Sequence, residues 1–557
     1  MIPSNINTGP SVVIVIISSL SSLLQLIMAD STSVISEKKI ETDEFDDVHS
    51  VTINDYIAET RPWYRVPHLR LLSFCIFLIT ITSTNNGYDG SMLNGLQSLS
   101  HWQEDMGHPA GQKLGALSNG TLFGSIAALP FAPFISDRFG RRKAIFAGQL
   151  ITVIGGILQG VSTDYGFFLG SRIVLGFGSC IATIGSPTLI SELAYPTHRE
   201  SSTFCYNICW YLGAIVASWV TYGTRNLDSK ASWTIPSYLQ SALPTFQLLL
   251  FWMVPESPRF YVAKGRVESA RKVLTKFHIG NSEDPRDIAL VEFELREIES
   301  ALEQEKLNSN SSYLDFITKK NFRKRGFLVC FVAIMMQLSG NGLVSYYLVK
   351  VLESIGITDA TKQLEINGCL MIYNFVICAT LACVVRYFKR RTMFIFCVSG
   401  MLLSYVIWTI LSALNQQKNF EDKSLANGVL AMIFFYYLFY DVGVNGLPFL
   451  YLTEILPYSH RAKGINLMQF CMFIVLVYNG YVNPIAMDAI EWKYYIVYCC
   501  ILAVELLVVI FTFPETSGFT LEEVAQVFGD VAPEMANRHV STVETTNKRS
   551  LEHVEEV

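Results

Sequence analysis

Charge is scarce in this chain. Only 16% of its 557 residues are Asp, Glu, Lys or Arg, against 51% hydrophobic and 13% aromatic. That balance excludes a soluble protein, which at this length would form about three or four domains. A basic surplus is also missing: the net charge is −6 and much of it sits in the tails, so no nucleic-acid partner is expected. Twelve cysteines include no CxxC pair, which argues against a zinc or disulfide framework. Cys205 and Cys209 share a helix face, and buried reduced thiols are the expectation. There is no HExxH, GxSxG or GxxxxGK[ST], so neither hydrolysis nor ATP use is expected. The nine histidines are scattered, and neither a metal nor a cofactor is implied.

What is there is apolar runs of about 20 residues, long enough to cross a hydrocarbon core about 30 Å thick. In lipid such runs must be helical, because each backbone N–H and C=O has to be satisfied within the segment. Twelve are expected, at roughly 70–96, 114–136, 144–162, 165–187, 203–223, 233–254, 326–349, 366–386, 392–413, 427–452, 465–488 and 493–513. Arg138, Arg141, Arg142, Lys143, Arg199, Arg386, Lys389, Arg390, Arg391, Arg461 and Lys463 all fall in even-to-odd connections. The positive-inside rule then places those loops and both termini in the cytosol.

The ends and the middle read differently. Ser11 to Met28 is apolar, yet no Lys or Arg precedes it as a secretory signal would require. A polar, acidic tail begins at Met28, which suggests translation from Met28; the alternative is a thirteenth, accessory membrane segment. The one long connection, 259–325, carries Ile288, Val291, Leu295, Ile298 and Leu302 at helical spacing behind a candidate N-cap, Asp287. It reads as an amphipathic helix on the cytosolic face, or else as a free linker. The expected organisation is a tail (1–67), a six-helix bundle (68–258), a helical linker (259–325), a second six-helix bundle (326–530) and a tail (531–557).

A repeat supports the two bundles. PTLISELAYPTHR (187–199) and GLPFLYLTEILPYSHRAKG (446–464) each place a Glu seven residues before an Arg, with a Pro between and a His beside the Arg. Duplicated halves are a known construction of membrane transporters.

Four motifs make the reading specific: Asp137-Arg-Phe-Gly-Arg-Arg142, Pro255-Glu-Ser-Pro-Arg259, Gln337-Leu-Ser-Gly340 ahead of Tyr346-Tyr347, and Pro514-Glu-Thr-Ser-Gly518. In this order and spacing they resemble the sugar porter family of the major facilitator superfamily over roughly 67–525. Asn86-Gly-Tyr-Asp-Gly90 with Met92-Leu-Asn-Gly95 is most similar to its fungal branch of lactose permeases and related disaccharide carriers. The resemblance implies an all-α membrane protein, twelve transmembrane helices in two six-helix bundles with a cytosolic helical linker, working as a monomer in the plasma membrane. It implies import of a sugar by alternating access, driven by a gradient.

The charges at span ends have a role to match. Asp137, Arg138, Arg142, Glu192, Arg199, Glu256, Arg259, Arg390, Glu454, Arg461 and Glu515 stand where carboxylates of one bundle could pair with Arg of the other. The resemblance implies a cytosolic latch that closes one face; ordinary positive-inside anchoring is the alternative. Arg386 and Lys389 replace the family's usual Asp and Gly in the second copy, and Pro133 replaces a Gly in the first.

Asp89 and Arg172 are the charges noted inside spans, where ionisable groups are costly and usually face a cavity and a partner. Their positions match the coupling Asp and Arg of proton–sugar symporters, making a proton the implied coupling ion; a structural ion pair is the alternative. For the sugar, amides that donate and accept suit vicinal hydroxyls. Gln337, Asn374, Asn341, Asn207 and Phe449 match or adjoin family binding positions, and Asn483 is a further polar residue in a span. Gln240 is read as helix–helix glue. Gly342 and Phe449, where the family has Asn and Trp, leave room for something larger than a monosaccharide. Gly87, Gly90, Gly340 and Gly342, with Pro448 and Pro484, are expected bending points. A uniporter for a monosaccharide or polyol and a non-transporting sugar receptor remain the alternatives.

Overall fold

The computed structural model describes residues 61–517, apart from 62, 308–311, 385–387 and 421, together with 524 and 528. The Met28 start, the two tails, Arg386 and Gly518 lie outside the described residues. Among the described residues the regular structure is entirely helical.

Among the described residues nine helical stretches are long and apolar enough to cross a membrane, or ten when the bent pair Gly111–Ala128 and Phe131–Phe139 is one span. Two further breaks account for the expected twelve. Lys463–Thr512 contains two spans, separated at Glu491, whose φ is 48°. The sixth run, expected to be continuous over 233–254, is two nine-residue helices, Ala231–Leu239 and Ala242–Leu250, broken at Gln240. In order the spans are Pro67–Leu96, Gly111–Phe139, Arg141–Val161, Tyr165–Leu193, Arg199–Thr224, Ala231–Leu250, Lys320–Glu353, Ala360–Val384, Arg390–Gln417, Lys423–Ile455, Tyr458–Ile490 and Tyr494–Thr512.

The breaks have local causes. Pro130, which lacks an N–H, sits at the 52° bend of the second span. Gly340, at φ 107°, splits the seventh. A turn of π-helix at Asp441–Asn445 interrupts the tenth just ahead of Pro448.

Packing repeats between the halves. The first span lies on the fifth as the seventh lies on the eleventh; the third lies on the fourth as the ninth lies on the tenth. The halves meet where the second span touches the eleventh and the fifth touches the eighth. Those two contacts exchange under the same pairing of helices, as a duplicated chain requires. The outward residues fit lipid: Phe134, Leu249, Trp252, Phe396 and Phe511 are large, apolar and exposed.

The connection between the halves is four helices rather than one: Pro258–Ala263, Val267–His278, Pro285–Leu307 and Asp315–Thr318. The expected amphipathic helix is present but starts earlier. Asp284, not Asp287, accepts the N–H of Arg286 and caps it. Leu290, Val291 and Leu295 are buried, whereas Ile288, in the first turn of the helix, is exposed.

Candidate functional site

Arg172 comes from the fourth span and Asp89 from the first. The guanidinium donates from Nη1 to Asp89 Oδ1 at 3.1 Å and from Nη2 to Oδ2 at 3.4 Å. Its Nε donates to the Leu117 carbonyl at 2.9 Å, so three of its donors are placed. The pair is buried, with side-chain exposures of 2% and 11%. Gln240, at the break of the sixth span, donates Nε2 to Asp89 Oδ1 at 3.0 Å. Its role is therefore not helix gluing alone: the break that interrupts the sixth span delivers an amide to the carboxylate. Replacing Gln240 with Ala removes a hydrogen bond to a charged group and is expected to lower the initial rate of sugar uptake about tenfold. Unchanged uptake in that variant would remove Gln240 from the site.

The pair lines a cavity of about 180 Å³ between the halves. Asn86, Ser118, Asn119, Ser179 and Trp210 line it from the first half, and Tyr346 and Gly480 from the second. Asn86 is itself fixed, donating to Thr183 Oγ1 at 2.8 Å and accepting from Ser179.

On the face away from the basic loops the halves are tied across the cavity. Gln97 donates to the Tyr346 carbonyl at 3.0 Å, Asn367 to Ser218 at 3.0 Å, Tyr222 to Glu365 at 3.0 Å and the Gly111 N–H to Asp488 at 3.2 Å. On the basic face charge pairs form within each half. Arg141 meets Glu192 at 3.3 Å within the first half, and Arg259, at the start of the linker, meets Glu192 at 4.0 Å. Glu256 accepts the N–H groups of Arg142 at 3.1 Å and Ser257 at 3.0 Å. Burial raises its carboxyl above the usual carboxylate range, and those N–H groups pull it back down. In the second half Arg390 meets Glu454 at 3.3 Å, and Glu515 accepts the N–H groups of Arg390 at 2.9 Å and Arg391 at 3.2 Å. Each half thus closes a charge cluster on itself, because in this state the halves are joined at the opposite face. Asp137 and Arg138 are exposed, Arg199 turns to the linker, where it meets Glu294 at 3.7 Å, and Arg461 Nε is buried without a hydrogen bond. Arg141, at the centre of the first cluster, was absent from the expected set.

The expected sugar contacts lie on four spans of the second half and on the fifth span, and none lines the 180 Å³ cavity. Gln337 is half-buried, and Asn374 is buried with Oδ1 unbonded. Asn341 accepts from Ser345 at 2.7 Å and Tyr437 at 3.2 Å; Asn483 accepts from Tyr494 at 2.8 Å and Tyr498 at 2.6 Å. Asn207 and Phe449 are exposed.

Two carboxylates inside spans escaped the sequence reading. Asp441, in the π-turn, accepts from Tyr211 of the first half at 2.8 Å and from Asn445 at 3.1 Å. Glu505, in the last span, is 2% exposed with both oxygens unbonded. The rule that singled out Asp89 applies equally to both.

Two tied helical halves, with a buried ion pair facing a central cavity, define a major facilitator carrier. The comparisons give the family. Residues 75–528 match the Sugar (and other) transporter family, and the chain belongs to it. A low-affinity glucose transporter of Kluyveromyces lactis is 29% identical over 405 residues, covering 71% of this chain and 70% of that one. The MFS-type transporter oryC of Aspergillus oryzae is 29% identical over 418 residues, covering 73% and 75%. The E. coli xylose transporter XylE, in a partially occluded inward-open conformation, superposes with a TM-score of 0.67 at 19% identity, over 81% of this chain and 100% of that one. The chain is a multi-pass sugar transporter of the membrane and not an enzyme.

Proposed function

We propose that this carrier imports a sugar together with a proton, and that Asp89 is the proton carrier. The observation that supports this most is the buried fork between Arg172 and Asp89 on the wall of the central cavity. An ionised Asp89 satisfies Arg172 and Gln240 together. A proton on Asp89 removes the charge that balances Arg172, freeing the fourth span to shift against the first. A solved neighbour at TM-score 0.65 is titled a proton:xylose symporter, which agrees with this coupling.

The basic face is the cytosolic face, by the placement of Arg and Lys, with both termini cytosolic and the plasma membrane as the site of action. The far-side ties then make this a state open toward the cytosol. In the outward-open state the two charge clusters meet and act as the latch. Gln337 and Asn374 contact the sugar, with Asn341, Asn207, Phe449 and Asn483 around them, and one chain suffices for transport. The Asn86–Gly90 wording favours a disaccharide such as lactose or cellobiose, although Asn479 fills the space at Gly342 and Phe449 is exposed; the names of the yeast relatives favour a hexose.

Uptake of labelled lactose, cellobiose and hexoses in transport-deficient cells tests this. Concentrative uptake that collapses with a protonophore, and in Asp89→Asn, is expected. Uptake that only equilibrates and ignores the gradient makes the chain a facilitator, and binding without uptake makes it a receptor.

A further inference from the structure

The linker docks on the first half through an apolar cluster that joins Leu274, Phe277, Leu290 and Leu295 to Leu69, Leu72 and Leu193, and one buried histidine lies beside it. His278 ends the helix Val267–His278, and its side chain is 1% exposed. Its Nδ1 lies 2.8 Å from Glu294 Oε2, on the helix Pro285–Leu307. Its Nε2 lies 3.1 Å from the carbonyl of Leu193, at the end of the fourth span. A carbonyl oxygen only accepts, and so does a carboxylate, so the ring satisfies both neighbours only when both nitrogens carry hydrogen. Glu294 is 1% exposed and its other oxygen faces Arg199, 3.7 Å away at the start of the fifth span. The chain Leu193–His278–Glu294–Arg199 therefore ties two linker helices to the ends of two spans.

We propose that His278 is a proton-binding clamp: its imidazolium adds to the apolar docking by tying the linker to the ends of the fourth and fifth spans, and loss of the proton loosens the dock. A neutral ring leaves one nitrogen lone pair facing an oxygen lone pair in a buried site, which costs the hydrogen bond and adds repulsion. Histidine is the side chain that makes this exchange between about pH 5 and 8. The surroundings allow it. Tyr195 packs its ring edge-on at 5.5 Å and is flanked by His198; Lys276 lies on the same helix, and His68 of the first span adjoins Gly280. Arg271 is engaged with Glu292 and Glu268, so Glu294 and Arg199 are the charges nearest the ring. The second half holds a counterpart: His460 Nε2 meets Asp315 Oδ2 at 2.9 Å. The hydrogen bonds of His460 and Lys319 hold that carboxyl well below the usual range. This clamp is separate from Asp89 and does not depend on which ion or sugar is carried.

Hydrogen–deuterium exchange on the full chain in lipid nanodiscs tests it. After correction for intrinsic exchange, peptides covering 267–299 are expected to exchange about tenfold faster at pH 8 than at pH 6. His278→Gln is expected to abolish that difference and leave exchange fast at both values. Should that variant fail to fold, Glu294→Gln provides the second reading, since a neutral amide can donate to a neutral ring and the difference shrinks. A wild-type linker that exchanges equally at both values, or a His278→Gln chain that keeps the full difference, overturns the proposal.

Discussion

Arg172→Leu is expected to abolish sugar uptake and to destabilise the detergent-solubilised protein by about 3–5 kcal/mol, the usual penalty for leaving one partner of a buried ion pair alone. Without the guanidinium, Asp89 keeps only the Gln240 amide, and the Leu117 carbonyl loses a donor additional to its helical one. A second substitution separates electrostatics from packing. In Asp89→Asn/Arg172→Leu no charge is stranded, and the thermal midpoint should recover most of the loss while uptake stays absent. Midpoints that fall equally in the single and double variants would show that Arg172 works by filling space. The recovery matters because an ion pair built for coupling must be dispensable to the fold and indispensable to the cycle.

How much of this could be read from the chain depends on the kind of signal. The spans were legible because lipid imposes one requirement, satisfied backbone, on about 20 residues at once. Some of their breaks were legible too: Gly340 and Pro448 mark two, and Pro244, four residues after Gln240, has no N–H to give the Gln240 carbonyl. Glu491 carries no such signal and sits where a tertiary contact stabilises the interruption. Gln240 gives its amide to Asp89, 151 positions away, and Glu491 accepts from Gln416 in the ninth span. Asp89 and Arg172 stood out because charge at membrane depth is costly, and the structure pairs them. Asp441 follows the same rule but hides behind an aromatic run, Phe434 to Tyr440, that reads as lipid-facing or core helix. The charged residues at span ends were found as a set, except Arg141. Their pairing was not, because which carboxylate meets which Arg depends on contacts between separate elements. The linker showed its helical period but not its clamp, since His278, Glu294 and Arg199 come from three separate elements.

The first and fifth spans carry the site residue Asp89 and the cavity residue Trp210, and their crossing should be the least tolerant point of the first half. At the crossing Gly87 lies against the Trp210 carbonyl and Gly213 against the Thr84 carbonyl. A Cβ at either position would fall inside the carbonyl's van der Waals radius, and what it meets is backbone, which cannot swing aside as a side chain can. Gly213→Val must push the helices apart along the whole contact, loosening the Ser91–Ser218 hydrogen bond of 2.8 Å as well. Overpacking of this kind costs about 1–3 kcal/mol where side chains can adjust, and more is expected where they cannot. Gly213→Val should lose its monodisperse peak in size-exclusion chromatography, and Gly213→Ala should weaken it. Gly170 and Gly223 lie in helices of the same half with open space where a Cβ would stand, so Ala there should be neutral or stabilising by up to about 1 kcal/mol. If Gly213→Ala behaves like Gly170→Ala, the two helices do not cross as closely as the structure has them. In that case the position of Asp89 opposite Arg172, which this crossing sets, loses its support.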